Sequence, residues 1–233
     1  MLLGVSWRMA GSPDKQTRTF SVNLEAQRAD VDWTNLENRD PYSIAVAEGP
    51  QFVGRATRVR SIANRYTRDT IESVLIDGQK RVGKSSLALA VRDAIITQPA
   101  NRTHIIYREF GDYGRADPSD TVAALGRTIA DEMTLFLPAG EPLLQLDFKG
   151  TLAPLNQLAR NLHIRVPEQR FLIILDEFDE IHPELYQHGR LADVFFQNLR
   201  TFGGQKNIGM MLVGGERLRY TPLTPESENP WAR

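Results

Sequence analysis

Cysteine is absent from the 233-residue chain. Without it the chain can form neither a disulfide framework nor a thiolate metal site, and the absence suits a reducing compartment. Histidine is also scarce, and none of the four histidines stands at metal-ligand spacing from a second ligand. The sequence therefore excludes zinc-finger classes and small folds held together by disulfides.

Long hydrophobic runs are missing as well. The apolar run at residues 171–175 is much too short to span a bilayer, which takes about 20 residues, and the opening Met-Leu-Leu-Gly-Val is too brief for a signal peptide. We expect a soluble, cytoplasmic chain that has no membrane partner.

An excess of charge of either sign is the third absence, because the formal net charge is −1. A protein that binds nucleic acid through its overall charge is expected to be strongly basic, so this class is not favoured. A local run of arginines, at positions 55, 58, 60, 65 and 68, is most simply the solvated face of a helix. Hydrophobic residues make up 41% and charged residues 24%, which is enough apolar material for a sizeable core.

The chain is predicted to contain one main domain with an addition at each end. Residues 1–40 carry one alternating stretch, at 19–24, which predicts a single short strand and is interpreted as the end of a preceding module. Turn-forming residues at 39–50 indicate a linker that leads into the main core, which is predicted at 41–220. Prolines at 222 and 225 predict an extended tail over 221–233.

Strand and helix patterns alternate through this core. Strands are predicted at residues 73–76, 104–107, 171–175 and 208–213, and apolar residues at helical spacing follow the first three. The third strand is apolar on both faces, as a central parallel strand covered by helices is. The order predicts an α/β fold of three layers, in which helices cover both faces of a mostly parallel sheet.

A glycine loop lies between the first of these strands and its helix. It fits the pattern G-x-x-x-x-G-K-[ST], in which backbone N–H groups curl around the phosphates of a nucleotide and the lysine reaches the β- and γ-phosphates. The N-terminus of the following helix also favours bound anions. Lys84 is the predicted catalytic cation and the Ser85 hydroxyl a predicted ligand of Mg²⁺. The predicted nucleotide-binding residues are Gly78, Gln79, Lys80, Arg81, Val82, Gly83, Lys84, Ser85 and Ser86.

Two carboxylates, Asp176 and Glu177, end the third strand. Ligands of open α/β sheets bind at the carboxyl ends of the strands. Because Mg²⁺ prefers oxygen ligands, Asp176 is predicted to hold the ion with its waters. Glu177 is predicted to act as the general base that polarises the attacking water. The alternative is an acidic turn that caps the next helix, since Asp179 and Glu180 follow.

Together these motifs resemble those of the additional-strand P-loop ATPases, the AAA and STAND group, over roughly residues 40–220. Residues 78–85 resemble the Walker A motif and residues 172–177 the Walker B motif. Val53, Gly54 and Arg55 resemble a Val/Phe-Gly-Arg box that lies beside the adenine in this group. The resemblance implies that ATP and Mg²⁺ are the cofactors and that the chain is an ATPase, which hydrolyses ATP to ADP and phosphate.

The chain departs from the pattern of this group after the fourth strand. Glu216 follows Gly214 and Gly215 where the group often has Asn, Ser or Thr as a γ-phosphate sensor, so no sensor is assigned. The group orders its sheet 5-1-4-3-2 and adds a helical lid, and the pattern here lacks the lid domain. We expect either a fragment of a longer protein, which we favour, or an N-terminal strand at 19–24 that completes the sheet edge.

The resemblance implies a nucleotide-dependent molecular switch in signalling or defence, in which ATP hydrolysis drives conformational or oligomeric change. It also implies self-association through the ATPase domain, and sensor or effector partners. Two alternatives stay open. One is a nucleic-acid-associated ATPase of the origin-binding or transposition-helper type, in which the arginine run would face DNA. The other is an ATP-binding scaffold with negligible hydrolysis.

Overall fold

The computed structural model of the protein describes residues 2–8, 15–21, 46–49, 52, 54–67, 71–98, 101–139, 146–186 and 189–215. The chain divides into two compact units, Met1–Ser43 and Ile44–Arg233. The predicted tail at 221–233 and Glu216, to which no sensor role is assigned, lie outside the described residues. The same holds for Val53 of the proposed adenine-side box.

The first unit contains a β-hairpin. Strand β1 (Leu2–Arg8) pairs antiparallel with β2 (Lys15–Ser21) in a two-stranded sheet. The prediction of a single short strand at 19–24 is therefore wrong in number, and its residues 22–24 lie outside the described part. Leu3, Val5 and Trp7 alternate along β1, which is the apolar pattern typical of a strand. Within this unit the two strands form a sheet of their own.

The second unit is built on a four-stranded parallel sheet. Its strands are β3 (Val74–Asp77), β4 (Thr103–Glu109), β5 (Arg170–Asp176) and β6 (Ile208–Gly214). All four predicted strands are present, with ends that differ by a residue or two. The order β3-β6-β5-β4 corresponds to the 1-4-3-2 part of the order expected from the resemblance. Residues after Gly215, on which a fifth strand and a lid would depend, are outside the described part.

Helices cover both faces of this sheet, which confirms the predicted three-layer α/β fold. Alternate residues of β5 point to opposite faces. Leu172 and Ile174 pack into a cluster with the helices at 56–66 and 84–96, whereas Phe171 and Ile173 pack into a larger cluster with the helices at 118–134, 153–165 and 190–203. The helices are α1 (Ala56–Tyr66), α2 (Lys84–Ile96), α3 (Pro118–Thr134), α4 (Ala153–Arg165), the short α5 (Pro183–Tyr186) and α6 (Arg190–Gly203).

A local capping signal explains where α3 begins. Asp117 caps α3, because its side chain accepts a hydrogen bond from the Ser119 backbone N–H at 2.7 Å, and Pro118 opens the first turn. Helix α4 was not predicted from the sequence, although Leu155, Leu158 and Leu162 recur at helical spacing and are buried. Within the ranges described, no helix is both long enough and apolar enough to cross a membrane.

Candidate nucleotide-binding site

The glycine loop connects β3 to α2 at the carboxyl edge of the sheet, as predicted. Its backbone enters the left-handed region at Gly78 (φ 153°), Arg81 (φ 64°) and Gly83 (φ 80°). Glycine adopts such angles without a steric penalty, which explains both glycines of the motif. Gly83 stands at the N-cap of α2 and provides no side-chain cap, so the first turn of the helix keeps its N–H groups for another acceptor. The loop therefore has the backbone form that a phosphate-binding loop needs.

Lys84 and Ser85 open helix α2. The Nζ atom of Lys84 donates a hydrogen bond to the backbone carbonyl of Gln79 at 2.8 Å, so the ammonium group is held across its own loop. Ser85 is half-buried in the same turn. These positions bring the predicted phosphate-binding cation and the predicted magnesium-binding hydroxyl to one end of one helix.

Ser86, which was predicted to contact nucleotide, uses its hydroxyl elsewhere. Its Oγ atom accepts a hydrogen bond from the Ala47 backbone N–H at 3.0 Å, and the side chain is buried. The hydroxyl thus fastens the segment 46–48 onto α2. A contact between nucleotide and the backbone of Ser86 stays a prediction.

Asp176 lies at the end of β5 and is only 2% exposed. Each of its carboxylate oxygens accepts one hydrogen bond. The Glu177 backbone N–H donates to Oδ1 at 2.8 Å, and the Tyr107 hydroxyl donates to Oδ2 at 2.7 Å. The sequence predicts that Tyr107 lies on a strand but indicates no role for it. The partner of a strand residue depends on the register of the strands, which the sequence alone does not determine.

Glu177 follows directly after the strand, exposed and with a left-handed backbone (φ 52°). Partial burial of its carboxyl group raises the pKa above the ordinary value for glutamate, and the negative charges of Glu180, Glu109, Asp176 and Asp179 raise that pKa further. A carboxylate with increased proton affinity is suited to accept a proton from water.

The acidic turn after β5 does not cap the next helix. Asp179, in the 3-10 turn Phe178–Glu180, accepts a hydrogen bond through Oδ1 from the Gly215 backbone N–H at 2.6 Å. At the start of α5, the His182 Nδ1 atom accepts the bond from the Glu184 backbone N–H at 3.2 Å. Asp179 therefore ties the turn that carries Glu177 to the end of β6, and the hydrogen bond at the start of α5 is accepted by His182 and not by an acidic side chain.

Arg55 approaches the glycine loop from the start of α1. Gly54 and Arg55 both have left-handed backbones (φ 87° and 54°), which turn the chain into the helix. A Cβ atom added at Gly83 would lie 4.0 Å from Arg55 Nη1. Arg55, Val82 and Lys84 line one cavity of about 680 Å³. A second cavity, of about 610 Å³, is lined by Gly78 and Lys80 on one side and Asp179 on the other.

The oxygen donors near the loop fit magnesium better than softer metals. Ser85 provides a hydroxyl and Asp176 a carboxylate, and Mg²⁺ is usually held by one or two such groups together with phosphate oxygens and waters. Among the described residues, no group of three or more His, Cys, Asp or Glu side chains is placed to hold a metal ion without further ligands. The strand, glycine loop and helix, with an acidic strand end two strands away at the same edge of the sheet, have the arrangement of a P-loop NTPase fold.

Comparisons with known proteins found several similar solved structures. The chain is similar to the Walker-type ATPase PABY2304 of Pyrococcus abyssi, with 17% identity and a TM-score of 0.44 over 72% of this chain and 47% of that one. It is similar to the ORC2 protein of Aeropyrum pernix, solved in ADPNP–ADP complexes, with 20% identity and a TM-score of 0.44 over 76% and 46% of the two chains.

A third similar structure is Cdc6p of Pyrobaculum aerophilum, with 13% identity and a TM-score of 0.42 over 73% of this chain and 42% of that one. The chain thus spans less than half of the length of the solved proteins it resembles. No family model and no curated protein matches the chain.

Proposed function

We propose that this chain binds Mg-ATP at the glycine loop and hydrolyses it, and that the nucleotide state acts as a molecular switch. The observation that carries the proposal is the meeting of two motifs at one sheet edge. The loop at residues 78–85 follows β3, and Asp176 and Glu177 follow β5, so both reach the carboxyl edge of the same parallel sheet. Binding sites of open α/β sheets are located at this edge.

The residues divide the work of binding and hydrolysis. Backbone N–H groups of the loop and the Lys84 ammonium would hold the β- and γ-phosphates. Ser85 and Asp176 would hold Mg²⁺, which when bound neutralises charge on the phosphate oxygens. Glu177 would accept a proton from the attacking water, a role that its raised pKa supports. Arg55 would contribute a second positive charge beside the loop.

The nucleic-acid alternative makes a different use of the arginines of α1. In that function their side chains should be free to face a phosphate backbone. Arg58, although exposed, lines the same cavity as Lys84, and Arg65 also lines it and lies 3.6 Å from Glu72 in an ion pair. These placements favour a role on the nucleotide side of α1. A signalling or defence role, with self-association and effector partners, is the finer form of the proposal and rests on the motif resemblance.

Titration calorimetry of ATP in the presence of Mg²⁺ tests the proposal. We expect Lys84→Ala to weaken binding by on the order of 100-fold or more, because the variant loses a charge-assisted contact to phosphate. Lys206→Ala is the matched control, because it removes the same charge from an exposed position just before β6, at the opposite edge of the sheet. Its affinity should equal that of the wild type.

Two results would contradict the proposal. One is a folded wild-type protein that binds no ATP at any Mg²⁺ concentration. The other is equal affinity in the wild type and in Lys84→Ala, which would mean that the nucleotide binds away from the glycine loop.

A further inference from the structure

Asp176 is held in place by two hydrogen-bond donors from different elements. The Glu177 N–H belongs to the residue next in the chain, whereas the Tyr107 hydroxyl comes from the neighbouring strand β4. A carboxylate that is 2% exposed requires such donors, because burial of an unpartnered charge is costly. Two donors, one on each oxygen, also fix the rotation of the carboxylate plane.

Strand register explains why Tyr107 reaches this carboxylate. In the parallel pair β4–β5, Tyr107 stands beside Ile174, and Asp176 is two residues further along β5. Residues two apart share a face of a sheet, so Tyr107, Ile174 and Asp176 all face the layer of α1 and α2. The Tyr107 ring packs against the cluster of buried residues in that layer, which includes Ile174.

The chemistry of a tyrosine suits this position. Its hydroxyl donates a hydrogen bond to the Asp176 carboxylate and carries no charge of its own. A neutral donor orients the carboxylate and leaves its negative charge in place. An arginine or lysine there would compete with a bound cation for the same charge.

We propose that Tyr107 is a positioning residue, which orients the Asp176 carboxylate so that its remaining lone pairs serve the magnesium ion of the nucleotide site. This inference rests on the proposed function. Tyr107 lies on β4, outside both Walker-type motifs in the sequence, so neither motif assigns a role to it. The hydroxyl, and not the ring, is the part that would matter.

The test is the gain in ATP affinity that Mg²⁺ produces, measured by titration calorimetry with Mg²⁺ and again with EDTA. In Tyr107→Phe, which keeps the ring and removes the hydroxyl, this gain should fall on the order of tenfold, the size expected for one hydrogen bond to a charged group. The affinity measured in EDTA should stay at the wild-type value.

Tyr66→Phe is the matched control. The Tyr66 hydroxyl donates to the Met210 backbone carbonyl at 3.2 Å, and its ring is buried in the same layer as Tyr107. Its loss should lower the melting temperature without changing the effect of Mg²⁺ on ATP affinity. Tyr107→Leu, which also lacks the hydroxyl, is a second variant and should lose the Mg²⁺ gain as Tyr107→Phe does.

The outcomes separate this inference from the proposed function. If the wild type gains affinity with Mg²⁺ and Tyr107→Phe gains equally, the positioning role is wrong while the nucleotide site stands. An equal loss in Tyr66→Phe would also overturn the role, because it would reduce the effect to general destabilisation. If the wild type binds no ATP, or binds it equally well in EDTA, the proposed magnesium–ATP site falls and the role of Tyr107 falls with it.

Discussion

The two faces of the four-stranded sheet differ in what they bury. The face covered by α3, α4 and α6 carries the larger cluster and most of the buried phenylalanines, namely Phe110, Phe148, Phe171, Phe178, Phe195, Phe196 and Phe202. The face covered by α1 and α2 carries a smaller, mainly aliphatic cluster. It is also the face of Asp176 and of the cavity beside the glycine loop.

Strand β5 contributes buried residues to both faces of the sheet. Along β5, Phe171, Ile173 and Leu175 point to the aromatic face, while Leu172 and Ile174 point to the other. Buried aromatic area supplies much of the stability of a domain. The aromatic face therefore supplies much of the stability, and the other face carries the candidate chemistry. Substitutions on the two faces should have different consequences.

The largest expected effect lies at the site. We expect Glu177→Gln to lower the rate of phosphate release by about 10²–10⁴-fold, the usual contribution of a general base, with ATP affinity little changed. A phosphate-release assay together with calorimetry measures both quantities. If the wild type binds ATP but releases no phosphate above the level of this variant, the chain is an ATP-binding scaffold.

The same variant should be slightly more stable than the wild type at neutral pH. The pKa of Glu177 is raised in the folded protein, so ionisation of its carboxyl group opposes folding. The stability linked to this group is fully present at low pH and is lost as the pH rises through the folded-state pKa. The side chain is mostly exposed, so solvent screening keeps the difference well below about 1 kcal/mol. Melting curves at pH 7 and below pH 4 should show the difference only at the higher pH.

A substitution on the aromatic face should affect stability alone. Phe171→Ala removes a fully buried ring that packs edge-on against Phe136, with centroids 5.2 Å apart. We expect a loss of about 3–5 kcal/mol in the free energy of unfolding. Five residues of strand, roughly 17 Å, separate Phe171 from Asp176, so the folded fraction should bind ATP as the wild type does.

Denaturant unfolding and calorimetry on the same sample test this separation. Leu135→Ala is the control, because this side chain is 77% exposed next to Phe136, and its loss should cost less than about 0.5 kcal/mol. If Phe171→Ala weakened ATP binding at temperatures where it is fully folded, the two faces would be coupled and the contrast between them would fail.

A smaller effect is expected at Gly126, inside α3. Glycine in a helix interior is ordinarily unfavourable relative to alanine by roughly 0.5–1 kcal/mol. Here a Cβ atom would lie 2.8 Å from Cγ of the buried Phe148 ring, so Gly126→Ala forces that ring to move. Overpacking costs about 1–3 kcal/mol, so we expect a net loss of about 1 kcal/mol.

The cause of that loss can be isolated in a double-variant cycle followed by denaturant unfolding. In a Phe148→Leu background, Gly126→Ala should be less destabilising than in the wild type, because the smaller side chain leaves room for the methyl group. A stabilising Gly126→Ala in the wild type would show that the aromatic face repacks readily.

Features that depend on neighbouring residues in the chain were predictable from the sequence. The four main strands, the glycine loop and the acidic strand end all follow from local periodicity or from a compact motif. The Asp117 cap of α3 was equally local, since the capping oxygen and the N–H it binds are two residues apart. Parallel pairing followed from the alternation of strands and helices.

Features that depend on register or on distant partners were not predictable in the same way. The bond from Tyr107 to Asp176 joins residues on different strands, and the bond from Gly215 to Asp179 joins the ends of β6 and of the turn after β5. A shift of one residue in either pairing would remove these contacts, and the sequence alone does not determine the shift. In the N-terminal hairpin, the strand predicted at 19–24 overlaps β2, whereas β1 was missed although Leu3, Val5 and Trp7 alternate along it.

Backbone geometry adds a consequence for how the chain tolerates change. In the part of the chain that the structure describes, three residues other than glycine have left-handed backbones, and all three belong to or flank the candidate site: Arg55, Arg81 and Glu177. Each such conformation costs about 1 kcal/mol or more, which glycine would relieve. Selection for heat resistance would therefore favour glycine at these positions, whereas selection for the proposed activity would favour the side chains now present. A variant with glycine at all three positions should keep the fold and lose the proposed chemistry.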